Sequence, residues 1–532
     1  MSEPMPGGRT ARAYPAPDDA APLPATAVVA VIGAGTMGSG IAQVAAQAGH
    51  PVRLFDLRDG AAADAVQKLR QRFDDLAAKG RITRDAADAA GARLSAATTL
   101  DACADAALVV EAIAEDLAAK RALLRELDAR LAADAIVASN TSSLSITAIA
   151  AGSRHPARVA GMHFFNPAPL MALVEVVSGR ETDAGVARTL AATAVAWGKT
   201  PVQARSTPGF IVNRCARPFY GEALLLLAER AADAATLDAV MREAGGFRMG
   251  PFELMDLIGI DVNFAVTQSV FAATFGDPRY APSFIQREMV DAGHLGRKSG
   301  RGFHDHASGA PPPAAASEAA CPPPSRIVVY GELGAAAALV ERMQDAGAAI
   351  EFVGAAPPFA AGVIGVGGAW LAPTDGRTAT VRAAATGAHD LVLFDWALDY
   401  TTCRRLAVAR ADGCADVAYA AAVGALQSCG VAVSRVDDVG GLVVARTVAM
   451  LVDEASDAVK EGVATADAVD LAMQMGVNYP RGPLAWGDAI GAARITELIA
   501  HLRAHYGAPR YRISPWLARR AATRTALRGA AS

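Results

Sequence analysis

Residues 27–56 constrain the fold more than any other stretch of the chain. Ala27 to Ile32 is a short apolar run suited to a buried parallel strand. It leads into Gly33-Ala34-Gly35-Thr36-Met37-Gly38, then into a helical pattern through Ala48 that Gly49 and Pro51 close. Val52 to Phe55 reads as a second strand and ends on Asp56. Strand, three spaced glycines, helix, strand and acid, in that order, describe a βαβ unit that binds a dinucleotide. Gly33 permits the tight turn, Gly35 lets the backbone approach a pyrophosphate, and Gly38 lets the helix sit close to the strand. Thr36 and Met37 open the helix, whose unpaired N–H groups face the phosphates. Asp56 accepts hydrogen bonds from the adenosine ribose and repels a 2′-phosphate, which favours NAD over NADP. Arg58, two residues on, softens that preference.

At 532 residues the chain exceeds what one hydrophobic core normally serves, so three or four domains are expected. An apolar content of 52% and a charged content of 20% suit folded domains. The net charge of −4 argues against nucleic acid as a partner, while leaving room for a local basic patch. The six cysteines include no CxxC pair and no zinc-like Cys/His spacing, so no metal site is expected. Scattered, reduced thiols point to the cytoplasm. No stretch of about 18 residues lacks charges and helix breakers, so no membrane span is expected. Residues 1–26 are rich in Pro, Ala and Gly and read as a disordered tail.

Further along, residues 61–79 read as a helix carrying Lys68, Arg70, Arg72 and Lys79. A strand from Leu108 to Ile113 ends near Glu115, and a helix with Lys120 follows over 116–131. Another strand, 135–138, runs into Ser139-Asn140-Thr141-Ser142-Ser143. Ligands bind beyond the carboxyl ends of parallel strands, so this cluster is placed to donate to a substrate oxygen. One of its serines is equally suited to cap the helix beginning near Leu144. Residues 161–177 then form an apolar strand with His163, a turn with Asn166, Pro167 and Pro169, and a returning strand with Glu175. The two prolines predict an extended turn. The pairing puts a carboxylate beside an imidazole, the arrangement of a general base for an alcohol proton. A helix over 183–197 and a strand at 201–203 follow. From Thr207 to about residue 300 the apolar spacing is helical throughout, with Asn213 early in the first helix.

These residues together resemble the L-3-hydroxyacyl-CoA dehydrogenases of fatty-acid, hydroxybutyrate and phenylacetate catabolism, over roughly residues 27–305. The resemblance rests on the glycines at 33–38, Ser-Asn-Thr-Ser-Ser-Leu at 139–144, His-Phe-Phe-Asn-Pro at 163–167 and Leu-Val-Glu-Val-Val at 173–177. It rests also on Thr-Pro-Gly-Phe-Ile-Val-Asn-Arg at 207–214, Gly-Pro-Phe-Glu-Leu at 250–254 and Gly-Arg-Lys-Ser-Gly-Arg-Gly-Phe at 296–303. It implies His163 as general base, Glu175 as its orienting carboxylate, Ser142 on the substrate's 3-oxygen and Asn213 near its carbonyl. Asn166, Glu115, Lys120 and Lys298 match cofactor-contacting positions. Lys79 matches a residue that contacts coenzyme A, and Arg72 stands where some members have a serine with that role. The implied activity is reversible, NAD-dependent oxidation of an (S)-3-hydroxyacyl-CoA. Rival readings are a dehydrogenase of a free hydroxy acid and a non-catalytic NAD-binding protein.

The second half reads as a worn copy. Residues 306–325 form a Pro/Ala linker, and Arg326 to Tyr330 begins a new strand without the three-glycine spacing that follows the first. Arg214, Glu222, Gly250, Asp256 and Gly259 recur as Arg446, Glu454, Gly482, Asp488 and Gly491 at a constant offset (446 − 214 = 232). Asn213 recurs as Ala445. The expected layout is α/β plus all-α. After the tail come a Rossmann-type domain over 27–206, a helical domain over 207–305 and the linker. A degenerate α/β domain over 326–436 and a second helical domain over 437–532 complete it. The two helical copies suggest an internal pseudo-dimer, the whole chain being a monomer or a homodimer.

Overall fold

The computed structural model describes residues 20–354, 359 and 362–528. The chain divides into two compact units, one ending at Phe210 and the other beginning at Ile211. Most of the expected disordered tail, residues 1–19, lies outside the described residues. Residues 20–26 are laid on the first unit: the Leu23 N–H donates to Thr193 Oγ1 at 3.0 Å, and its side chain packs on the core.

The first unit is one sheet of eight strands in the order β3-β2-β1-β4-β5-β6-β7-β8. The strands are β1 Val29–Ile32, β2 Val52–Phe55, β3 Leu94–Ala97, β4 Leu108–Glu111, β5 Ile136–Ser139, β6 Val159–Phe164, β7 Leu173–Ser178 and β8 Thr200–Arg205. All neighbours run parallel except β6 and β7. The central strands are apolar and buried on both faces, as a sheet covered by helices requires. The covering helices are α1 Thr36–Gln47, α2 Ala61–Ala78, α3 Arg84–Ala92, α4 Leu117–Asp128, α5 Ile146–Ala150 and α6 Ala184–Ala196. α3 and β3 are absent from the sequence reading. β3 sits at the sheet edge with only Leu94 and Ala97 buried, so it carries no apolar run to betray it.

The second unit opens with α7 Val212–Cys215, α8 Arg217–Ala228, α9 Ala234–Glu243, α10 Pro251–Ile258, α11 Ile260–Ala273 and α12 Phe284–Asp291. A sheet of seven strands follows, ordered β10-β9-β11-β12-β13-β14-β15. Its strands are β9 Arg326–Tyr330, β10 Ala349–Val353, β11 Val363–Val366, β12 Ala369–Pro373, β13 Leu391–Phe394, β14 Arg405–Arg410 and β15 Ala432–Arg435. Helices α13 Ala337–Asp345, α14 Ala379–Thr386 and α15 Asp416–Ser428 belong to this α/β part. The chain ends in α16 Val444–Lys460, α17 Ala466–Val477, α18 Pro483–Ile490, α19 Ala492–Tyr506 and α20 Pro515–Thr523. The fold is therefore α/β plus all-α, with a Rossmann-type sheet first.

The linker is a bound strap rather than a loose spacer. Its N–H groups between the prolines find fixed acceptors: Ala316 on Thr236 Oγ1, Glu318 on the Val433 carbonyl and Cys321 on Gln427 Oε1.

The 232-residue repeat reaches further back than the helices. β14 begins and ends 232 residues after β7, and β15 begins 232 after β8. β12 to β15 repeat the parallel, antiparallel, parallel sequence of β5 to β8. Phe210 and Leu442 share a left-handed backbone, with φ of 47° and 52°.

The two helical copies pack on each other through reciprocal ion pairs. Arg214 Nε meets Glu454 at 2.6 Å, and Arg446 Nε meets Glu222 at 2.7 Å. The Tyr280 hydroxyl donates to Glu454, and the Tyr511 hydroxyl donates to Glu222. All four charged groups of these pairs are buried, so each guanidinium is committed to the opposite copy.

Candidate active site

The antiparallel register of β6 and β7 puts His163 directly opposite Glu175. Both are buried, at 6% and 0% exposure, and His163 Nδ1 lies 2.7 Å from Glu175 Oε2. A carboxylate only accepts, so Nδ1 donates, and in the neutral imidazole Nε2 keeps its lone pair. Phe165 and Phe210 flank the imidazole, with ring centroids at 4.6 and 6.0 Å.

The loop between the two strands is a helical turn, not the extended turn its prolines suggest. The N–H groups of Leu170 and Met171 both donate to the Pro167 carbonyl. Lys199, almost fully buried, caps this turn by donating to the carbonyls of Ala168 at 2.6 Å and Met171 at 2.9 Å. Burial pushes its amine below the ordinary lysine value. Asn166 stands exposed at the start of the turn. Lys199 escapes sequence reading because an isolated lysine before a strand normally points to water.

The Ser/Asn/Thr cluster beyond β5 is tied down from both sides. Asn140 Oδ1 accepts the N–H of Phe164, next to His163, at 2.8 Å. Glu115 accepts from Thr141 Oγ1 at 2.6 Å, from the Ser142 N–H at 2.9 Å and from Ser143 Oγ at 2.9 Å. Burial works against its ionisation, but these bonds and the charge of Lys120 prevail and hold its carboxyl below the ordinary value. The helix cap falls to Ser145, which accepts from Ala148, and not to the serines of the cluster. Lys120 is 2% exposed, with Nζ 2.5 Å from Glu111 and 3.4 Å from Glu115. Glu111 also accepts from Ser139. The resemblance sets Lys120 against the cofactor. In the structure it is the buried cation that fixes Glu111 and Glu115.

A cleft of about 600 Å³ opens at the carboxyl ends of β1, β2 and β4, lined by Gly33, Gly35, Asp56, Arg58 and Ile113 among others. Gly33 has φ of 107°, and a Cβ there would lie 2.5 Å from the Ala112 carbonyl oxygen. A Cβ at Gly38 would lie 1.8 Å from the Gly33 oxygen, so helix and turn touch there. Gly35 faces open space. α1 starts at Thr36 without a side-chain cap, which leaves its first N–H groups, those of Met37 and Gly38 included, for an anion. Asp56 accepts from the N–H of Ala34 and from Arg58. The Arg58 guanidinium, chiefly, lowers its carboxyl to about 2, so it is an acceptor at any working pH. Glycine cradle, helix end and acid fit NAD.

Arg72 and Lys79 lie exposed on and just after α2, and neither side chain makes a hydrogen bond or ion pair among the described residues. In the second unit, Asn213 is the second residue of α7, and Lys298 pairs with Asp261. Among the described residues no cluster of His, Cys, Asp or Glu is arranged to hold a metal. No single helix among them is long and apolar enough to cross a membrane.

Comparison with known proteins matches residues 28–207 to the family described as "3-hydroxyacyl-CoA dehydrogenase, NAD binding domain". Residues 209–306 and 441–529 both match "3-hydroxyacyl-CoA dehydrogenase, C-terminal domain". Residues 371–439 match "3-hydroxybutyryl-CoA dehydrogenase reduced Rossmann-fold domain". The chain is 41% identical, over 93% of its length and 97% of the relative's, to 3-hydroxyadipyl-CoA dehydrogenase of Escherichia coli. It is 38% identical, over 52% of its length and 90% of the relative's, to human mitochondrial hydroxyacyl-coenzyme A dehydrogenase. The crystal structure of 3-hydroxybutyryl-CoA dehydrogenase from E. coli superposes with a TM-score of 0.85 at 41% identity, covering 94% of this chain and 98% of that one. The chain belongs to the 3-hydroxyacyl-CoA dehydrogenase family, whose members are NAD-dependent oxidoreductases.

Proposed function

We propose that His163 is the general base that takes the 3-hydroxyl proton of an (S)-3-hydroxyacyl-CoA, and that Glu175 fixes the ring for it. The observation that carries this reading is the buried 2.7 Å contact between His163 Nδ1 and Glu175, which leaves Nε2 as the acceptor. NAD, when bound, supplies the hydride acceptor. The chain's own residues do the rest. Gly33, Gly35, Thr36, Met37 and Gly38 cradle the pyrophosphate, and Asp56 takes the ribose hydroxyls. Glu115, fixed by Lys120, holds the Ser142 loop, and Asn166 and Lys298 complete the cofactor surroundings. Ser142 steadies the 3-oxygen, and in the reverse reduction it and protonated His163 stabilise the charge developing there. Asn213 holds the thioester carbonyl. Arg72 and Lys79, exposed and without protein partners, are the cations for coenzyme A phosphates.

The paired helical copies are read as an internal dimer that replaces a subunit contact, so one chain is self-sufficient. Six free thiols, five of them buried, favour the cytoplasm.

The test is oxidation of NADH by acetoacetyl-CoA beside free acetoacetate. Turnover of the thioester alone supports the reading. Turnover of the free acid at a comparable rate makes the protein a hydroxy-acid dehydrogenase, and NADH binding with no turnover of either makes it non-catalytic.

A further inference from the structure

In the second unit a pocket of about 230 Å³ runs along α8, between Arg217 and Ala228, and faces α11 and residues 279–286. At the ~30 Å³ that a water molecule occupies, it takes a tail of roughly eight heavy atoms. Its walls are largely apolar, with no carboxylate among them, yet three arginines border it. Two are committed elsewhere: Arg279 to Asp453 and Asp457, and Arg510 to Glu222. The third, Arg217, is 6% exposed and meets no acidic side chain among the described residues. Its Nε donates to the Asn213 carbonyl at 2.7 Å and its Nη1 to Thr267 Oγ1 at 2.9 Å, both neutral acceptors. Nη2 has no hydrogen-bond partner among the described residues and is not among the fully enclosed polar atoms. Burial lowers the affinity of this guanidinium for its proton. A buried cation with neutral neighbours is costly unless a ligand brings the counter-charge.

The internal repeat tells whether Arg217 is scaffold. At the offset of 232, Asn213, Arg217 and Thr267 become Ala445, Ala449 and Ile499, each fully buried. The arginines that join the copies, Arg214 and Arg446, are kept in both. The helices therefore pack without a cation at this position, and Arg217 stays with Asn213 and disappears with it. Arg217 also lies one helical turn, about 5.4 Å, beyond Asn213, a span that a few methylenes bridge.

We propose that Arg217 receives the terminal carboxylate of a dicarboxylic 3-hydroxyacyl chain whose tail fills this pocket. The proposal rests on the reading of Asn213 as the residue at the thioester end. Arg217 and the carboxylate form a charge-assisted pair inside an apolar pocket, so a neutral chain end of equal length leaves Arg217, which stacks on the Tyr220 ring at 4.9 Å, without a counter-charge.

The experiment compares kcat/KM for (S)-3-hydroxyadipyl-CoA and (S)-3-hydroxyhexanoyl-CoA in the wild-type chain, Arg217→Met and Arg217→Lys. The wild type is expected to favour the dicarboxylic substrate, and the ratio is expected to fall about 100-fold in Arg217→Met, with partial recovery in Arg217→Lys. Equal losses for both substrates, or a wild type with no preference, overturn the proposal. Turnover of the hexanoyl thioester without preference does so while leaving the acyl-CoA reading standing, and turnover of neither overturns both. A measurement needing no variant is competition by adipyl-CoA against its terminal amide: the amide binding about tenfold or more weaker supports the pairing, and equal binding refutes it.

Discussion

From β5 in the first half and β12 in the second, the two halves of the chain share a scaffold that carries different side chains at the same places. β7 and β14 superimpose in sequence at the 232-residue offset, which sets Glu175 against Ala407. The register that pairs Glu175 with His163 across β6 pairs Ala407 with Asp395 just beyond β13. In the first half that pair is an imidazole held by a carboxylate. In the second, Asp395 accepts the first N–H groups of α16, from Val443, Val444 and Ala445, at 2.7 to 2.9 Å. The position that serves chemistry in one half serves helix capping in the other. Lys199, which caps the loop carrying Asn166, corresponds to Val431. Asn213 corresponds to Ala445. What both halves keep is the reciprocal arginine–glutamate contact. The difference teaches which residues the fold needs and which the reaction needs, because the second half folds without the latter.

The largest expected effect breaks this comparison at its centre. His163→Ala is expected to lower kcat about a thousandfold or more while the protein stays folded and binds NADH. Asp395→Ala is expected to do the opposite, costing about 1–3 kcal/mol of stability by leaving helix N–H groups unsatisfied, with turnover retained. Steady-state kinetics and denaturant unfolding on both variants check the exchange. A kcat loss in Asp395→Ala as deep as in His163→Ala would merge the two roles.

Next comes the contact that both halves share. Arg446→Met leaves the buried Glu222 with Arg510 as its remaining cation and is expected to destabilise the second unit by about 1–3 kcal/mol, and Arg214→Met, which leaves Glu454 with Arg279, is expected to cost a similar amount by pseudo-symmetry. Urea unfolding checks this, and a loss in only one variant would show the copies to be unequal in their packing. Lys199→Met strands the carbonyls of Ala168 and Met171 and is expected to cost about 1–3 kcal/mol and to raise the KM for the cofactor. The paired control, Val431→Met, is expected to leave the KM for the cofactor at the wild-type value.

Much of this was legible in the residues. The βαβ start, the His163–Glu175 pairing and the 232-residue repeat all follow from local pattern, because apolar runs and glycine spacing record strands and turns directly. Other features were hidden for physical reasons. α3 and β3 carry too little buried apolar surface to show a period. The turn over 167–171 is curled by a lysine that contacts it only in three dimensions. Lys120 looks like a solvent-facing helix residue until Glu111 and Glu115 are brought beside it. Arg217 has no visible signature at all: its lack of a carboxylate is a property of the packed helices, not of neighbouring residues.

The smallest expected effect concerns pH. The Asp56 carboxyl lies at about 2, below its ordinary value of 3.8. A depressed carboxyl keeps its contribution above the ordinary value and loses it only as pH falls toward about 2. NAD affinity measured from about pH 8 down to about pH 3 is therefore expected to show no break from Asp56 near its ordinary value of 3.8. A break near pH 4 that vanishes in Asp56→Asn would contradict the Arg58 pairing.

The central claim is that one half carries the chemistry and the other carries only its scaffold. Calorimetric titration of the intact chain with NADH tests it most directly. One NADH per chain, lost or strongly weakened in Asp56→Ala, is the result expected. Two per chain, or one that Asp56→Ala leaves untouched, would place a cofactor in the second half and contradict the account.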